Sequence, residues 1–396
     1  MATSATPRTV SSARPLTVAA HAAFVPIGIV TVLLSPLLPT LSARWSLNYS
    51  EAGELFTAQF LASTGAVLLS GVVMSRWGFR FAMKAGLLVI AVSVVGLLSG
   101  TRLMGMLCIA GYGAGIGLAV PAANLLVAEV NPGRRSAALN LLNFSWSAGA
   151  VSCPFLIAAA AKGHHILFFL VLVGVLSALV TVAIALMPSS IVEPSTNKAS
   201  GGKNRATDWK HRSFPALAAL FFLYVGAENS FGGWAASYAN SLRTMSLTVS
   251  VMIPSFFYSA LMLGRWLAPL LLRKVDDIQV ARGCLLLACA GMAGMVGSRS
   301  PLAVMASASV AGLGLSTVYP ITISLLSREF GQAASRVGSL MFTSANLGGA
   351  LFPWLVGASS NQVGTLKAGL AVPLISGAIM FVLYRRNWKS AAEGPT

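Results

Sequence analysis

Charge is what this sequence has least of. Only 9% of its 396 residues are Asp, Glu, Lys or Arg, against roughly 25% in an ordinary soluble domain. So few charges cannot cover a surface that faces water, and 56% of the residues are hydrophobic. Acids are scarcer still, with 10 Asp+Glu against 27 Lys+Arg and a formal charge of +17. On a soluble chain such an excess would suggest nucleic acid. No basic run here is interleaved with aromatics on a polar face, so no nucleic-acid partner is expected. Histidines and cysteines number four each. Cys108, Cys153, Cys284 and Cys289 all lie in apolar runs, where free Cys acts as a small hydrophobe, and neither a disulfide framework nor a metal site follows from them. No nucleophile and base cluster together and no P-loop appears, which argues against an enzyme and against ATP hydrolysis; no cofactor is expected.

Apolar length is what the chain has in abundance. Stretches of about 20 residues cross a hydrocarbon core ~30 Å thick. Twelve occur, near 18–41, 53–75, 79–100, 104–128, 137–161, 165–187, 214–239, 248–272, 280–298, 301–327, 335–358 and 367–384. Each must satisfy its own backbone hydrogen bonds, so all are read as helices of an all-α membrane protein. The polar, basic "MATSATPRTVSSARPLT" precedes the first run. That run is of spanning length without a clear cleavage site, so a retained first helix is expected.

The longest polar interruption, "PSSIVEPSTNKASGGKNRATDWKHRS", divides the spans six and six. The expected organisation is an N-terminal six-helix bundle over 1–187, a cytoplasmic linker over 188–213 and a C-terminal six-helix bundle over 214–396. With the linker and both termini in the cytoplasm, about 21 Lys/Arg fall on that side. The other side keeps Arg44, Arg102, Lys162, Arg243, Arg299 and Lys367. This positive-inside bias sets the expected orientation of a multi-pass protein in a bacterial inner membrane.

The halves also repeat each other. "GAGIGLAVP" ending at Pro121 answers to "GLGLSTVYP" ending at Pro320, an offset of 199 residues (320 − 121). The same offset pairs Gly149 with Gly348 and Pro154 with Pro353. Constant spacing across two helices and a loop points to an internal duplication.

Over essentially its whole length the sequence resembles the major facilitator superfamily. The loop "GVVMSRWGFR" matches the family's G-x-x-x-D-R-x-G-R marker at Gly71, Arg76, Gly78 and Arg80, with Ser75 in place of the acid. The resemblance implies a gating loop there, in which that acid helps latch one conformation. "GRWLAPLLLRKVDD" from Gly264 is a looser counterpart in the second half. "PAANLLVAEVNPGRRSAALNLLNFSWSAGAVSCP" and "YVGAENSFGGWAASY" resemble the branch of fucose-, galactose- and glucose-proton symporters and their bacterial relatives. The implied fold is two pseudo-symmetric six-helix bundles that rock around a central site.

Most acids fall in loops or helix ends, and Glu228 is the exception, about midway along the seventh span with no Lys or Arg on that helix. A carboxylate isolated in hydrocarbon is costly as an anion and marks a functional position. It is read as the proton-coupling group; the alternative is a protonated structural Glu bonded to a neighbouring helix. Tyr224 and Asn229 lie beside it, and polar stripes run along other spans: Asn140, Asn143 and Ser147 on the fifth, Ser339, Thr343 and Asn346 on the eleventh. Gln59, Asn124 and Tyr258 add amide and phenol groups, and Trp146, Trp234 and Trp354 offer stacking surfaces. This chemistry suits a neutral polyhydroxylated solute, although each polar group alone could serve interhelical bonding. Arg265 is expected to snorkel to the cytoplasmic end of the eighth span, leaving no cation at mid-depth for an anionic substrate. The expected function is a proton-coupled sugar carrier acting as a monomer on a small-molecule substrate and H⁺, with Na⁺ the other candidate ion. A proton-driven exporter of amphipathic compounds is the alternative.

Overall fold

The structure, a computed structural model, describes residues 14–97, 100–131, 135–187, 211–330, 334–386 and 388. Among the described residues the regular structure is entirely helical. The helices are α1 (Arg14–Val32), α2 (Leu34–Trp45), α3 (Tyr49–Gly96), α4 (Arg102–Val130), α5 (Arg135–Lys162), α6 (Ile166–Ala185) and α7 (Phe214–Ser241). They continue with α8 (Leu247–Leu271), α9 (Asp277–Gly297), α10 (Pro301–Leu315), α11 (Val318–Phe330), α12 (Ala334–Val363), α13 (Leu366–Gly369) and α14 (Ala371–Leu383).

Twelve crossings account for these elements. α3 is two spans joined through Gly78, whose φ of 82° lies outside the helical region. The pairs α1/α2, α10/α11 and α13/α14 are each one span broken once. The breaks share a cause: Leu33, Ser316–Thr317 and Leu370 lie just before Pro36, Pro320 and Pro373. Proline has no N–H to give the carbonyl four residues back, and its ring crowds that turn. Large apolar side chains such as Leu302 (79% exposed), Phe168 and Val92 point outward, as lipid-facing positions require.

The internal repeat is visible in the packing. Pro121 and Pro320 lie 19 residues past Arg102 and Pro301, and Pro154 and Pro353 lie 19 past Arg135 and Ala334. A Cβ on Gly113 would sit 2.3 Å from the Gln59 carbonyl oxygen, and one on Gly312 would sit 2.1 Å from that of Phe257. Gly149 and Gly348 meet the Val25 and Phe222 carbonyls in the same way, at 2.1 and 2.0 Å. Corresponding glycines thus let corresponding helix pairs touch backbone to backbone in each half.

Successive spans run in opposite directions, giving a linker end, where α6 stops and α7 starts, and a far end with the turns at 46–48, 163–165, 242–246 and 298–300. Between the halves α3 packs on α12, α5 on α8 and α2 on α7. A far-end seam carries many of these contacts. Gly357 abuts the Tyr49 carbonyl, Gly53 abuts the Trp354 backbone, and Gly349 faces the Phe60 ring. Three hydroxyls donate across it to main-chain oxygens: Thr57 to Ala350 at 2.9 Å, Ser255 to Val151 at 3.0 Å and Ser35 to Gly232 at 2.5 Å.

Candidate functional site

On the linker side of that seam lies a cavity of about 300 Å³. The first half supplies Phe24, Thr31 and Val32 from α1, Gln59, Phe60 and Ser63 from α3, Ile116 and Val120 from α4, and Asn143 and Trp146 from α5. The second half supplies Tyr224, Val225, Glu228 and Asn229 from α7, Tyr258 and Arg265 from α8, Tyr319 from α11 and Asn346 from α12. This volume is at the small end of ligand pockets. It suits a solute of a few polar groups rather than an extended one.

The first-half wall is held by a chain of hydrogen bonds. Tyr112 donates to Gln59 Oε1 at 3.3 Å, and Gln59 Nε2 donates to the Thr31 carbonyl at 3.2 Å. The Trp146 indole N–H donates to Thr31 Oγ1 at 3.3 Å, and that hydroxyl donates to the Ile27 carbonyl at 2.7 Å. The Trp146 ring is therefore fixed at the cavity wall before any ligand arrives. Asn143 and Asn229 each donate one N–H to the carbonyl four residues back, Leu139 and Val225, which leaves their amide oxygens as acceptors.

The second-half wall is charged. Arg265 Nη2 lies 3.8 Å from Glu228 Oε1 and donates to the Tyr224 hydroxyl at 3.4 Å. Arg265 Nε is buried without a hydrogen-bond partner among the described residues. The Tyr224 and Tyr319 rings pack at 5.2 Å. A direct N⁺–H···O⁻ bond is about 2.7–2.9 Å, so the Glu228–Arg265 pair at 3.8 Å is a loose ion pair without a direct hydrogen bond.

Two expectations are corrected here. Glu228 is not isolated, because its partner comes from another helix, and Arg265 does not snorkel to an interface. Arg265 stands seven residues after Tyr258, two turns along the same face of α8, and that face lines the cavity. The i, i+7 spacing was present in the sequence and is the signal that could have placed Arg265 inside. Thr31 and Tyr319 gave no such signal.

Gln59, Asn143, Trp146, Tyr224, Glu228, Asn229, Tyr258 and Asn346 are brought together in the cavity. Trp234 and Asn124 are not. Trp234 is 1% exposed, with its indole N–H on the Pro353 carbonyl at 2.9 Å and its ring against Tyr49 and Phe56 at the far end. Six residues carry it about 9 Å along and 240° around α7 from Glu228. Asn124 lies one turn beyond Val120 and donates to that residue's carbonyl at 3.0 Å. The Asn140 and Ser339 side chains lie outside the described residues.

In the loop after the second span, Gly78 makes the turn at positive φ, where a Cβ is disfavoured. Arg80 donates to the Met187 carbonyl at 3.4 Å, Arg76 is exposed, and Gly71 has open space around it. Ser75, at the acid's position, bonds its own helix at Val72. The counterpart expected at Gly264 is instead a packing site inside α8, where a Cβ would meet Ser316 Oγ at 2.2 Å. Outside the cavity, Arg102 pairs with Glu51 at 2.6 Å and Glu54 at 3.1 Å, Arg328 with Asp277, and Ser213 donates to Glu329.

Comparison with known proteins agrees with this arrangement. A glucose/galactose transporter of Brucella abortus is 25% identical over 373 residues, covering 88% of each chain. The glucose/mannose transporter GlcP of Bacillus subtilis is 22% identical over 358 residues, covering 86% of this chain and 87% of its own. Among solved structures, a D-xylose-proton symporter superposes with a TM-score of 0.77 at 14% identity, covering 95% of this chain and 98% of the other. The profile of the Major Facilitator Superfamily matches residues 21–353. With twelve membrane crossings, duplicated halves and a cavity lined from both of them, the chain belongs to the Major Facilitator Superfamily.

Proposed function

We propose that this transporter carries a small sugar by alternating access, with a proton exchanged at Glu228. The observation that carries the reading is the cavity itself, in which a fixed Trp146 ring, three tyrosines and the amides of Gln59, Asn143, Asn229 and Asn346 line one space. Aromatic faces cover the apolar side of a pyranose and amides answer its hydroxyls. The names of the glucose/galactose and glucose/mannose relatives support the substrate class, and the xylose-proton symporter supports proton coupling as the energy source.

In this reading the halves over 1–187 and 214–396 rock about the far-end seam, with 188–213 joining them in the cytoplasm and both termini on that side. The cavity then opens inward, and the loop of Gly71, Arg76, Gly78 and Arg80 latches the opposite state. Arg265 and Glu228 attract each other across 3.8 Å, and loosening that pair frees the guanidinium to meet solute hydroxyls. A second reading takes the Arg265 guanidinium at the cavity wall as the anchor of an anionic sugar such as a uronate.

The test is uptake into proteoliposomes of radiolabelled D-glucose, D-galactose, D-glucuronate and a cationic dye under imposed pH or Na⁺ gradients. Accumulation of a neutral hexose driven by the pH gradient is expected, and Glu228→Gln should abolish it while leaving counterflow exchange. Gradient-driven accumulation by Glu228→Gln equal to wild type would assign Glu228 to structure. Preference for glucuronate would favour the second reading, and movement of the dye alone would establish an exporter.

A further inference from the structure

A second cavity of about 260 Å³ lies at the far end, beyond the Trp234 plug. It is shared by the two halves. Pro39, Ser42, Leu47 and Tyr49 come from the first, and Trp234, Ser237, Asn240, Ser241, Arg243 and Leu366 from the second. Nothing in the carrier cycle described above uses it.

Three features set it apart from a passive gap between rocking bodies. The Ser237 hydroxyl is buried without a hydrogen-bond partner among the described residues, an uncommon state for a buried polar group. Arg243 is exposed and makes no ion pair among the described residues. The turns that border the cavity hold Ser46 and Arg243 at φ of 51° and 55°, two of the three positive-φ residues other than glycine among the described residues. Ser46 takes that conformation as the left-handed cap of α2, with its N–H on the Ser42 carbonyl, so the helix end itself fixes this turn. The Tyr49 ring, braced edge to face on the buried Trp234 at 6.4 Å, gives one aromatic wall beside Ser42, Asn240, Ser241 and Arg243.

We propose that this far-end cavity is a second, weaker solute site for a polyhydroxylated molecule, and that it exists only while the far end is closed. The solute class rests on the sugar reading above, whereas the site rests on its own lining. Opening the seam pulls Tyr49 away from Trp234 and dismantles the site. Any occupant therefore holds the protein in the far-end-closed state, because a ligand shifts an equilibrium by its differential affinity for the two states. A solute waiting outside would slow the return of the empty carrier, and uptake would decline at high external concentration.

The test is protection of Asn240→Cys and, separately, Ser241→Cys in the full-length protein from a membrane-impermeant maleimide, above the rate of the unsubstituted chain. D-glucose and D-galactose are the probes. Labelling should slow about threefold when the probe is at twice the dissociation constant of the site, which is expected in the millimolar range. Protection should persist when Asn346→Ala disables the central cavity and should vanish with Arg243→Ala. Absence of protection at hexose concentrations raised to about 100 mM, well above that range, would overturn the proposal. So would protection that disappears with Asn346→Ala, because it would then report a conformational change driven from the centre. If no hexose is transported yet both cysteines are protected, the far-end site stands and the sugar-carrier reading falls; with neither effect, both fall.

Discussion

Replacing Gly357 with Ala should open the far end. A Cβ there would lie 2.2 Å from the Tyr49 carbonyl oxygen, with Trp234 Cζ2 at 3.2 Å. No carbon approaches an oxygen so closely, and the obstacle is backbone, which cannot rotate away. Overpacking of this kind costs about 1–3 kcal/mol. The contact crosses between the halves, so the cost falls on the far-end-closed state and is absent when the seam parts. A bias of that size changes the ratio of the two states roughly 5- to 150-fold. Gly312→Ala is the control, since its Cβ would strike the Phe257 carbonyl at 2.1 Å within one half. It should lower thermal stability without moving the equilibrium. Spin labels on the exposed positions Ala43 and Gln362 would read the far-end distance by pulsed dipolar spectroscopy. A longer distance population is expected for Gly357→Ala and not for Gly312→Ala. Identical distance distributions for wild type and a folded Gly357→Ala would refute the reasoning.

Further outcomes follow from the cavity and its loop. Arg265→Leu leaves the Glu228 carboxylate without its partner 3.8 Å away. At an effective dielectric of about 20 that attraction is ~4 kcal/mol, and cavity water cuts the loss to about 1–3 kcal/mol. Thermal unfolding in detergent should fall accordingly, and adding Glu228→Gln should restore most of it; no recovery in the double variant would show that the pair is not coupled. Gly78→Ala forces a Cβ onto backbone at φ 82° and ψ 171°, a region held essentially by glycine alone, at a cost of about 1–3 kcal/mol, measurable as a lower unfolding temperature. Glu228→Gln should lose pH-gradient-driven accumulation, as the liposome assay would show.

Apolar length, the 199-residue repeat and the Gly71–Arg80 loop together made the twelve crossings and their duplication legible in the sequence, because each is a local or periodic property of the chain. The breaks at Leu33, Ser316–Thr317 and Leu370 were legible in principle, since each lies just before a proline. Glu228 could be singled out, but its partner could not be found by searching its own helix. The pair forms between α7 and α8, and only the face that α8 turns inward decides whether Arg265 reaches lipid headgroups or the cavity. Trp234 illustrates the opposite error: an aromatic six residues from Glu228 is expected in the same site, while the helical rotation between them sends it into the seam.

The three hydroxyls that cross the seam have a property that bears on how fast it can part. Thr57, Ser255 and Ser35 donate to main-chain oxygens of the opposite half, and each sits in or beside a helix whose own carbonyls lie within reach. A single χ1 rotation lets such a hydroxyl bond the carbonyl three or four residues back instead. When the halves separate, no donor is stranded, and the accepting oxygens retain access to their own helices. The seam is thus a set of swivelling catches on smooth glycine rails, tight when shut yet without a desolvated polar group to strand on opening. A carrier that must release its grip on every turnover needs a closure of that kind, and side chains that interlocked more deeply would make it slower.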